Sequence, residues 1–349
     1  FAVQTFDPVV EKNIKRSNIK SEKAVRIVEE IRQSGKEAAT DVMCGLPGET
    51  YESHLNTLRL GFEAGFDFFG VTNIVMLPGS ELETPESREK FGLRTKYRIR
   101  GGSYGEYFGI KVIESEEIIL ATNVFDEDQM IRCRLIHWLI WLTWNVGFLK
   151  PLLLFLQSKF QVNPLDFILR IVDTVDKDNN DFPSINKFFE QFVRDSKDEW
   201  FDNPKELESF CFEQKNWKEL LEKGFAKLNY SYTAQLVLNQ ELRDEFYNLI
   251  SSIAKDVTSD PIMQEIIFLM REDHISPQDI FANKPITEKK YRVAQETKAY
   301  FLPSSGGELN GKKTSYSIIL KPDETKIEMI RTHLNKFGFL ANQDYAVQK

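Results

Sequence analysis

Short apolar segments alternate with amphipathic segments of helical spacing over residues 1–79. The first apolar segment ends at Asp7-Pro8, where an aspartate can cap a helix and a proline fits its first turn. Apolar residues then recur at helical spacing between Ser21, a candidate cap, and Gly35, which is typical of a helix end. This part of the chain predicts a strand that leads into a helix, followed by an amphipathic helix that packs on a neighbouring element.

Two more strands with a helix between them are predicted further along. The mostly apolar run 38–46 predicts a buried strand that is broken at Pro47, and Thr50 is a candidate cap for a helix that ends at Gly65. Residues 68–77 predict the next strand. Strands that alternate with helices in this way favour parallel pairing through right-handed crossovers. Ligands in such folds gather at the carboxyl ends of the strands.

An apolar run over residues 131–156 approaches the length of a membrane span, which needs about 20 apolar residues. His137 and the pair Lys150-Pro151 interrupt the run. We therefore predict two buried helices joined at Pro151 and no membrane span. Two interpretations of His137 are open. It either contacts a substrate, as a ligand or an acid-base group, or it is a core residue. A lone histidine on an apolar helix is more often a core residue.

The remaining segments predict a division into three regions. Residues 1–100 hold the strand-helix units, and residues 101–175 hold a glycine-aromatic segment and the apolar helices. Residues 176–349 predict several soluble helices and a small terminal α/β element, with a strand over 315–320 and a helix over about 324–336. An acidic linker over residues 173–181 and a flexible turn at 304–307 are also predicted.

Composition narrows the class of protein. The chain has 349 residues, enough for two or three domains, and a net charge of −8, which argues against a dedicated nucleic-acid surface. The basic stretch 94–100 predicts a solvated loop. Three cysteines, Cys44, Cys133 and Cys211, are scattered without the spacing of a metal-ligand set, so no metal ligands are predicted. Scattered cysteines suit a reducing compartment, and we predict a cytoplasmic protein.

Candidate chemistry concentrates in an ordered set of polar residues, Gln4, Arg16 and Asp41, followed by the loop Gly-Leu-Pro-Gly-Glu-Thr at residues 45–50. The glycines would let backbone approach a ligand, and the helix start offers free N–H groups to an anion. Spacing alone leaves two interpretations of the loop open, a ligand-binding loop or an ordinary tight turn before a helix.

The ordered set resembles the second half of a radical S-adenosylmethionine (radical SAM) barrel, most closely the oxygen-independent coproporphyrinogen oxidase type. In that family a strand ends in a Gln-x-x-Asp-like segment, an arginine follows near the end of the next helix, and a Gly-Leu-Pro-Gly-Glu-Thr-like loop follows an aspartate-bearing strand. The matching positions here are Gln4, Asp7, Arg16, Asp41 and residues 45–50.

The resemblance implies a set of cofactor contacts, which are Gln4, Arg16, Asp41, Met43, Gly45 and Met76. Gln4, Arg16 and Asp41 would hold the ribose, amino and carboxylate groups of SAM. These roles suit the residue types, because arginine pairs a carboxylate bidentately and aspartate pairs an ammonium or bridges hydroxyls. Met43 and Met76 would be apolar contacts for the adenine.

The family also uses a [4Fe–4S] cluster held by three cysteines of a Cys-x-x-x-Cys-x-x-Cys loop. The chain lacks that loop and starts at Phe1, so we interpret it as a C-terminal fragment, inactive alone, with the cluster ligands outside this chain. Residues 101–115 are similar to a region of radical SAM proteins with an upstream cobalamin-binding domain. They predict either a mobile lid or a surface loop with a short hairpin. Cobalamin dependence is implied by this likeness alone.

The resemblance implies that the complete enzyme either cleaves SAM to a 5′-deoxyadenosyl radical or transfers a methyl group through cobalamin. Its substrate is unknown, and its reductant would be a protein such as ferredoxin or flavodoxin. The expected fold class is α/β: a partial parallel (β/α) barrel of radical SAM type, followed by a mainly α-helical C-terminal region with a small terminal α/β element.

Two other functions stay open. One is a degenerate, non-catalytic barrel whose helical C-terminal half binds a protein partner through the aromatic helices around Trp138 and Trp144. The other is a conventional barrel enzyme without a cluster, which would need carboxylate or histidine pairs at strand ends. The carboxylates of Asp7, Asp41 and Glu49 are available for that role. The nearby histidine, His54, falls inside the helix predicted after the loop and not at a strand end.

Overall fold

The computed structural model describes residues 2–175, 181–223, 228–273, 289–301 and 316–320. The described chain is mixed α/β and mostly helical. The alternation of strands and helices in the sequence predicts the α/β class. Its strands form sheets of two or three strands, and none of the sheets among these residues closes into a barrel. The α/β class is therefore confirmed, whereas the radical SAM barrel stays a prediction.

The strands and helices are numbered in chain order. The strands are β1 (Ala39–Cys44), β2 (Phe68–Asn73), β3 (Val75–Met76), β4 (Arg94–Tyr107), β5 (Ile110–Ala121), β6 (Lys289–Val293) and β7 (Tyr316–Leu320). The first helices are α1 (Pro8–Asn13), α2 (Ser21–Gln33), α3 (Tyr51–Ala64), α4 (Pro85–Phe91), α5 (Glu127–Ile140), α6 (Lys150–Phe160) and α7 (Pro164–Val175). The later helices are α8 (Pro183–Asp198), α9 (Pro204–Phe212), α10 (Gln214–Lys223), α11 (Leu228–Leu238), α12 (Gln240–Lys255), α13 (Pro261–Glu272) and α14 (Gln295–Ala299).

The chain divides into two compact units. The first unit comprises Phe1–Trp141 and Phe189–Leu228, and the second comprises Leu142–Phe188 and Asn229–Lys349. The first unit contains the sheets β1–β2 and β3–β5–β4, and the second contains the pair β6–β7. The division into three regions by sequence stays a prediction.

Strands β1 and β2 pair in parallel, as their alternation with α2 and α3 predicts. On the other side of β1, Gln4 forms a parallel bridge to Val42. The predicted first strand is thus reduced to one bridge, because Gln4 has a left-handed φ of 61° that interrupts the extended backbone. The bridge still makes three adjacent parallel segments in the first unit.

The helix ends follow the sequence signals closely. Asp7 caps α1 with Pro8 in the first turn, and Thr50 caps α3 in a reciprocal capping box with Ser53. Gly65 ends α3 in the left-handed conformation at φ 82°. Helix α2 differs slightly from the prediction, since Ser21 is its first residue and not its cap.

Helix α3 lies against β2 at a position where only a glycine fits. A β-carbon added at Gly61 would lie 2.6 Å from Cε1 of Phe69, a buried ring in β2. We expect Gly61→Ala to lower the free energy of unfolding by about 1–2 kcal/mol, because overpacking outweighs the gain in helix propensity. Urea unfolding monitored by circular dichroism measures the change.

A smaller side chain at position 69 provides the control for this clash. In a Phe69→Leu background the added methyl group has room, so the penalty of Gly61→Ala should shrink or reverse in sign. A stabilising effect of Gly61→Ala in the otherwise unchanged chain would contradict the close packing of α3 on β2.

Strands β4 and β5 form a long antiparallel hairpin. Its turn at Phe108 and Gly109 has positive φ at both residues, which matches the right-handed twist of the strands. Of the two interpretations of this segment, the structure has the hairpin, and it is longer than predicted. The prediction of a solvated loop over residues 94–100 is wrong, because this stretch is the first half of β4 and Arg98 pairs with Glu116 of β5 at 2.6 Å.

The predicted strand over residues 68–77 is divided in two. Residues 68–73 form β2, and Val75–Met76 form β3, which pairs antiparallel with β5 opposite Ile118 and Glu117. At this break the chain passes from the parallel pair β1–β2 into the sheet formed by β3, β5 and β4. The two sheets of the first unit are thereby adjacent along the chain.

The apolar run after residue 130 forms two buried helices, as predicted, but the break between them falls before α6 and not at Pro151. Most residues of α5 are buried, and α6 contains Pro151 in its first turn. No single helix of the described chain is long and apolar enough to cross a membrane, and only the stretches Glu127–Asn145 and Lys150–Phe160 reach that length as a pair broken by a bend.

The second unit is mainly helical, with apolar side chains of α6, α7, α12 and α13 in its core. Strand β7 confirms the strand predicted over residues 315–320, and it pairs antiparallel with β6. The predicted helix at 324–336, the turn at 304–307 and most of the acidic linker at 173–181 lie outside the described residues.

Candidate functional site and metal centre

Three of the predicted cofactor contacts lie together at β1. The Gln4 N–H donates to the Asp41 carbonyl at 2.7 Å, and the Met43 N–H donates to the Gln4 carbonyl at 3.0 Å. These two hydrogen bonds fix Gln4 beside Asp41 and Met43 although the residues are far apart along the chain. The structure therefore brings together three of the six predicted cofactor contacts, and their role in binding a cofactor stays a prediction.

The two faces of β1 differ in exposure. Asp41 is exposed and Met43 is half-buried, whereas Val42 and Cys44 on the opposite face are buried. Gly70 is the partner of Asp41 on β2, and a β-carbon there would clash with the Asp41 carboxylate. The missing side chain at Gly70 leaves this carboxylate room on an accessible face of the sheet.

Arg16 lies beside the segment that contains Gln4. Its Nη2 donates to the carbonyl of Ala2 at 3.4 Å, and its Nε donates to Oδ1 of Asn18 at 2.9 Å. Asn18 in turn donates to the carbonyl of Thr5 at 2.9 Å. The exposed guanidinium is thus placed next to the bridge with β1, with no direct contact to Asp41 among the hydrogen bonds of the described chain.

Met76 and Gly45 occupy buried positions. Met76 belongs to an apolar cluster with Leu46 and Ile119, and Met43 packs against this cluster. The two predicted adenine contacts are thus in one apolar group. Gly45 is buried, and its N–H donates to Oε2 of Glu49 at 2.7 Å, so this amide is already satisfied within the loop.

Glu49 is the centre of the loop at residues 45–50. Its carboxylate is fully buried and accepts hydrogen bonds from the N–H groups of Gly45 and Leu46 through the same oxygen. Its other oxygen lies 3.1 Å from Nδ1 of His54, which donates to it. The glutamate of the motif therefore organises the loop and orients a histidine, and in this arrangement it does not face solvent.

A compact group of sulfur and imidazole side chains lies on the buried face of β1. It consists of Cys44, His54, Cys133 and His137, and their ligand atoms all lie within 4.8 Å of one another. The two imidazoles meet at their Nε2 atoms, which are 2.8 Å apart. Three of these side chains are buried, and His137 is half-buried. We call these four residues the Cys-His cluster.

Three elements place the Cys-His cluster. Cys44 is the last residue of β1, and His54 lies in the first turn of α3, which Thr50 caps. Cys133 and His137 are four residues apart on α5, so their side chains share one face of that helix. Each side chain is therefore held by a regular element and not by a loop.

The four groups differ in their protonation chemistry. Burial lowers the pKa of His54, but the charge and hydrogen bond of Glu49 outweigh burial and raise it above its usual value. Burial and the charge of His54 hold the pKa of His137 well below its usual value. Burial raises the pKa of the Cys44 thiol well above its usual value. Burial also acts to raise that of Cys133, but the hydrogen bond with Cys44 and the charge of His54 lower it overall.

The Cys-His cluster was not predicted, because the cysteines lack the spacing of a metal-ligand set with one another. Cys44 and Cys133 come from segments far apart along the chain, and Cys211 lies on α9. One signal was present, the cysteine and histidine four residues apart at 133 and 137 on a predicted helix. Each histidine taken alone is typical of a core or helix residue, and His54 lies inside α3.

Two chemical capacities follow from this geometry. The accessible face of β1 offers the Asp41 carboxylate, and the Arg16 guanidinium lies near the adjoining segment. The buried face offers two sulfurs and two imidazole nitrogens at one point. No model of a protein family matches this chain, and no curated protein matches it. The assignment of a function therefore depends on the residues themselves.

Proposed function

We propose that the first unit supplies part of the SAM-binding pocket of a radical SAM enzyme. The observation that carries the proposal is the pair of hydrogen bonds that fixes Gln4 beside Asp41 and Met43 on β1. Gln4 and Asp41 belong to the motif resemblance, and their placement on neighbouring parallel segments is what a shared pocket requires.

The chemistry of the exposed groups supports a zwitterionic ligand. Asp41 presents a carboxylate that can accept hydrogen bonds from an ammonium group or from ribose hydroxyls, and Arg16 presents a guanidinium that can pair a carboxylate. Met43 is half-buried at the margin of the apolar cluster around Met76, and its exposed part can contact an aromatic base. Together these groups are complementary to the parts of SAM.

SAM supplies this enzyme class with a source of radicals or of methyl groups. The [4Fe–4S] cluster of the class does not fit the described cysteines, because Cys44 and Cys133 are accompanied by two histidines and Cys211 lies on a different element. The cluster ligands, a reductant protein such as ferredoxin or flavodoxin, the substrate and any cobalamin domain would belong to the rest of the enzyme.

Calorimetric titration of the purified chain with SAM tests this proposal. We expect saturable binding, and we expect Asp41→Asn to weaken it about ten- to a hundredfold, because one charge-assisted hydrogen bond is lost. Asp202→Asn is the matched control, since Asp202 is an exposed carboxylate of the same unit that pairs with Lys96. Its affinity for SAM should equal that of the unchanged chain.

Two results would overturn the proposal. One is a folded chain that does not bind SAM, and the other is an Asp41→Asn variant that binds SAM as tightly as the Asp202→Asn control. Either result favours the degenerate barrel with a protein-binding region. That region would have to use other residues than Trp138 and Trp144, because both side chains are buried.

A further inference from the structure

The Cys-His cluster has the dimensions of a site for one metal ion. In a tetrahedral zinc site, metal–sulfur distances are about 2.3 Å and metal–nitrogen distances about 2.0–2.1 Å, so neighbouring ligand atoms lie about 3.3–3.8 Å apart. The four ligand atoms here are all within 4.8 Å of one another, which a small rotation of the side chains brings to that spacing. The ligands of a multi-iron cluster diverge around several metal atoms and would lie further apart.

The ligand types select the metal. Two thiolates with two imidazoles form the Cys2His2 set that is typical of structural zinc. Carboxylate and carbonyl oxygens, which magnesium and calcium prefer, do not belong to the set. Cys44, His54 and Cys133 are buried and His137 is half-buried, and four protein ligands would fill a tetrahedral coordination sphere, as in structural sites.

The surroundings of His54 match those of a metal ligand. Metal-bound histidines almost always donate their second ring N–H to a carboxylate, a backbone carbonyl or a water, which fixes the ring orientation. Nδ1 of His54 donates to Glu49, and this leaves Nε2 directed at the other members of the cluster. Glu49 is itself held by the amides of Gly45 and Leu46.

The cluster also links elements that are distant along the chain. It joins the end of β1 and the first turn of α3 to the middle of α5. Met130 of α5 packs against Cys44, with the two sulfur atoms 3.8 Å apart, so the helix and the strand are already in contact. An ion at this point would cross-link the first unit from within.

From these observations we infer that Cys44, His54, Cys133 and His137 bind a single divalent ion of the zinc type in a closed structural site, with Glu49 as the positioning residue for His54. The site lies on the opposite face of β1 from Asp41. It therefore goes beyond the proposed binding of SAM and does not depend on it.

Titration of the reduced, chelator-treated chain with Co2+ tests the inference, because cobalt reports thiolate ligands and tetrahedral geometry in its absorption spectrum. We expect one equivalent of Co2+ to produce thiolate-to-cobalt charge-transfer bands and intense d–d bands, and one equivalent of Zn2+ to displace it. Cys133→Ser should lose the stoichiometric binding and most of the charge-transfer intensity. Asp41→Asn should keep the full spectrum, which separates this test from that of SAM binding.

Cys211→Ser is the matched control, because Cys211 is equally buried in the same unit but lies on α9, away from the cluster. It should bind cobalt as the unchanged chain does. Glu49→Gln should keep the band positions but bind about 10–100-fold more weakly, as expected for a positioning residue.

The unchanged chain decides the question even if a variant fails to fold. A folded, reduced wild-type chain that shows no stoichiometric tetrahedral cobalt spectrum would overturn the inference. So would a spectrum that persists in Cys133→Ser and disappears in Cys211→Ser. A disulfide between Cys44 and Cys133 that persists after treatment with a reductant would be a third outcome against the site, and mass spectrometry detects it.

Discussion

Replacement of Glu49 by alanine is expected to lower the free energy of unfolding by about 3–5 kcal/mol, because removal of one partner from a buried charged network leaves the others unpaired. The change would leave the N–H groups of Gly45 and Leu46 and the Nδ1–H of His54 buried without their acceptor. Urea unfolding in the presence of a chelator measures this loss, since the chelator removes any contribution from bound metal.

Glu63→Ala is the matched control for Glu49→Ala. Glu63 is exposed near the end of α3, where a negative charge gains nothing from the helix dipole, so its removal should change stability by less than about 0.5 kcal/mol. If both alanine variants were equally stable, the buried network of Glu49 would not hold the loop as the structure has it.

Glu49 connects the two candidate sites of the first unit. The loop that Glu49 organises follows β1 directly. The conformation of the loop backbone therefore affects the position of Cys44 and of the strand that carries Asp41 and Met43. The sequence resemblance assigns this glutamate to a cofactor-binding motif. In the structure its contacts are internal, so its first role is to shape the loop and fix the orientation of His54.

Local elements of the first unit were predictable from sequence because their signals are local. The cap at Thr50, the end of α3 at Gly65 and the buried strand before Pro47 each follow from neighbouring residues, and the structure has all three. The placement of Gln4 beside Asp41 was predictable only through the motif order, because hydrogen bonds between distant segments have no local signal.

The features that the sequence analysis missed all depend on contacts between distant segments. The hairpin β4–β5 is longer than expected because cross-strand pairs such as Arg98 with Glu116 make basic residues compatible with a strand. The Cys-His cluster needs three elements to converge, and neither the cysteine at 44 nor the pair on α5 indicates its partners. Spacing rules detect metal sites whose ligands lie close along the chain, and this set is spread over β1, α3 and α5.

Trp138→Ala should cause the second large loss of stability, about 3–5 kcal/mol, because a buried tryptophan is replaced by a cavity. Trp138 lies in α5 and is almost completely buried. Its ring stacks on Phe192 at a centroid distance of 5.1 Å and meets the edge of Phe189 at 5.4 Å. Truncation removes both aromatic contacts and the apolar area that joins α5 to α8, and thermal or urea unfolding would measure the effect.

Phe108→Ala is the control for the loss of an aromatic ring. Phe108 lies at the tip of the β4–β5 hairpin and is fully exposed, and alanine is subject to the same strain at its positive φ. We expect this variant to stay within about 0.5 kcal/mol of the unchanged chain. Trp138→Phe should lie between the two, because a smaller ring keeps part of the stack on Phe192. A Trp138→Ala variant as stable as Phe108→Ala would mean that α5 is not packed on α8 through this ring, and that α5 does not have the buried position that the Cys-His cluster requires of Cys133 and His137.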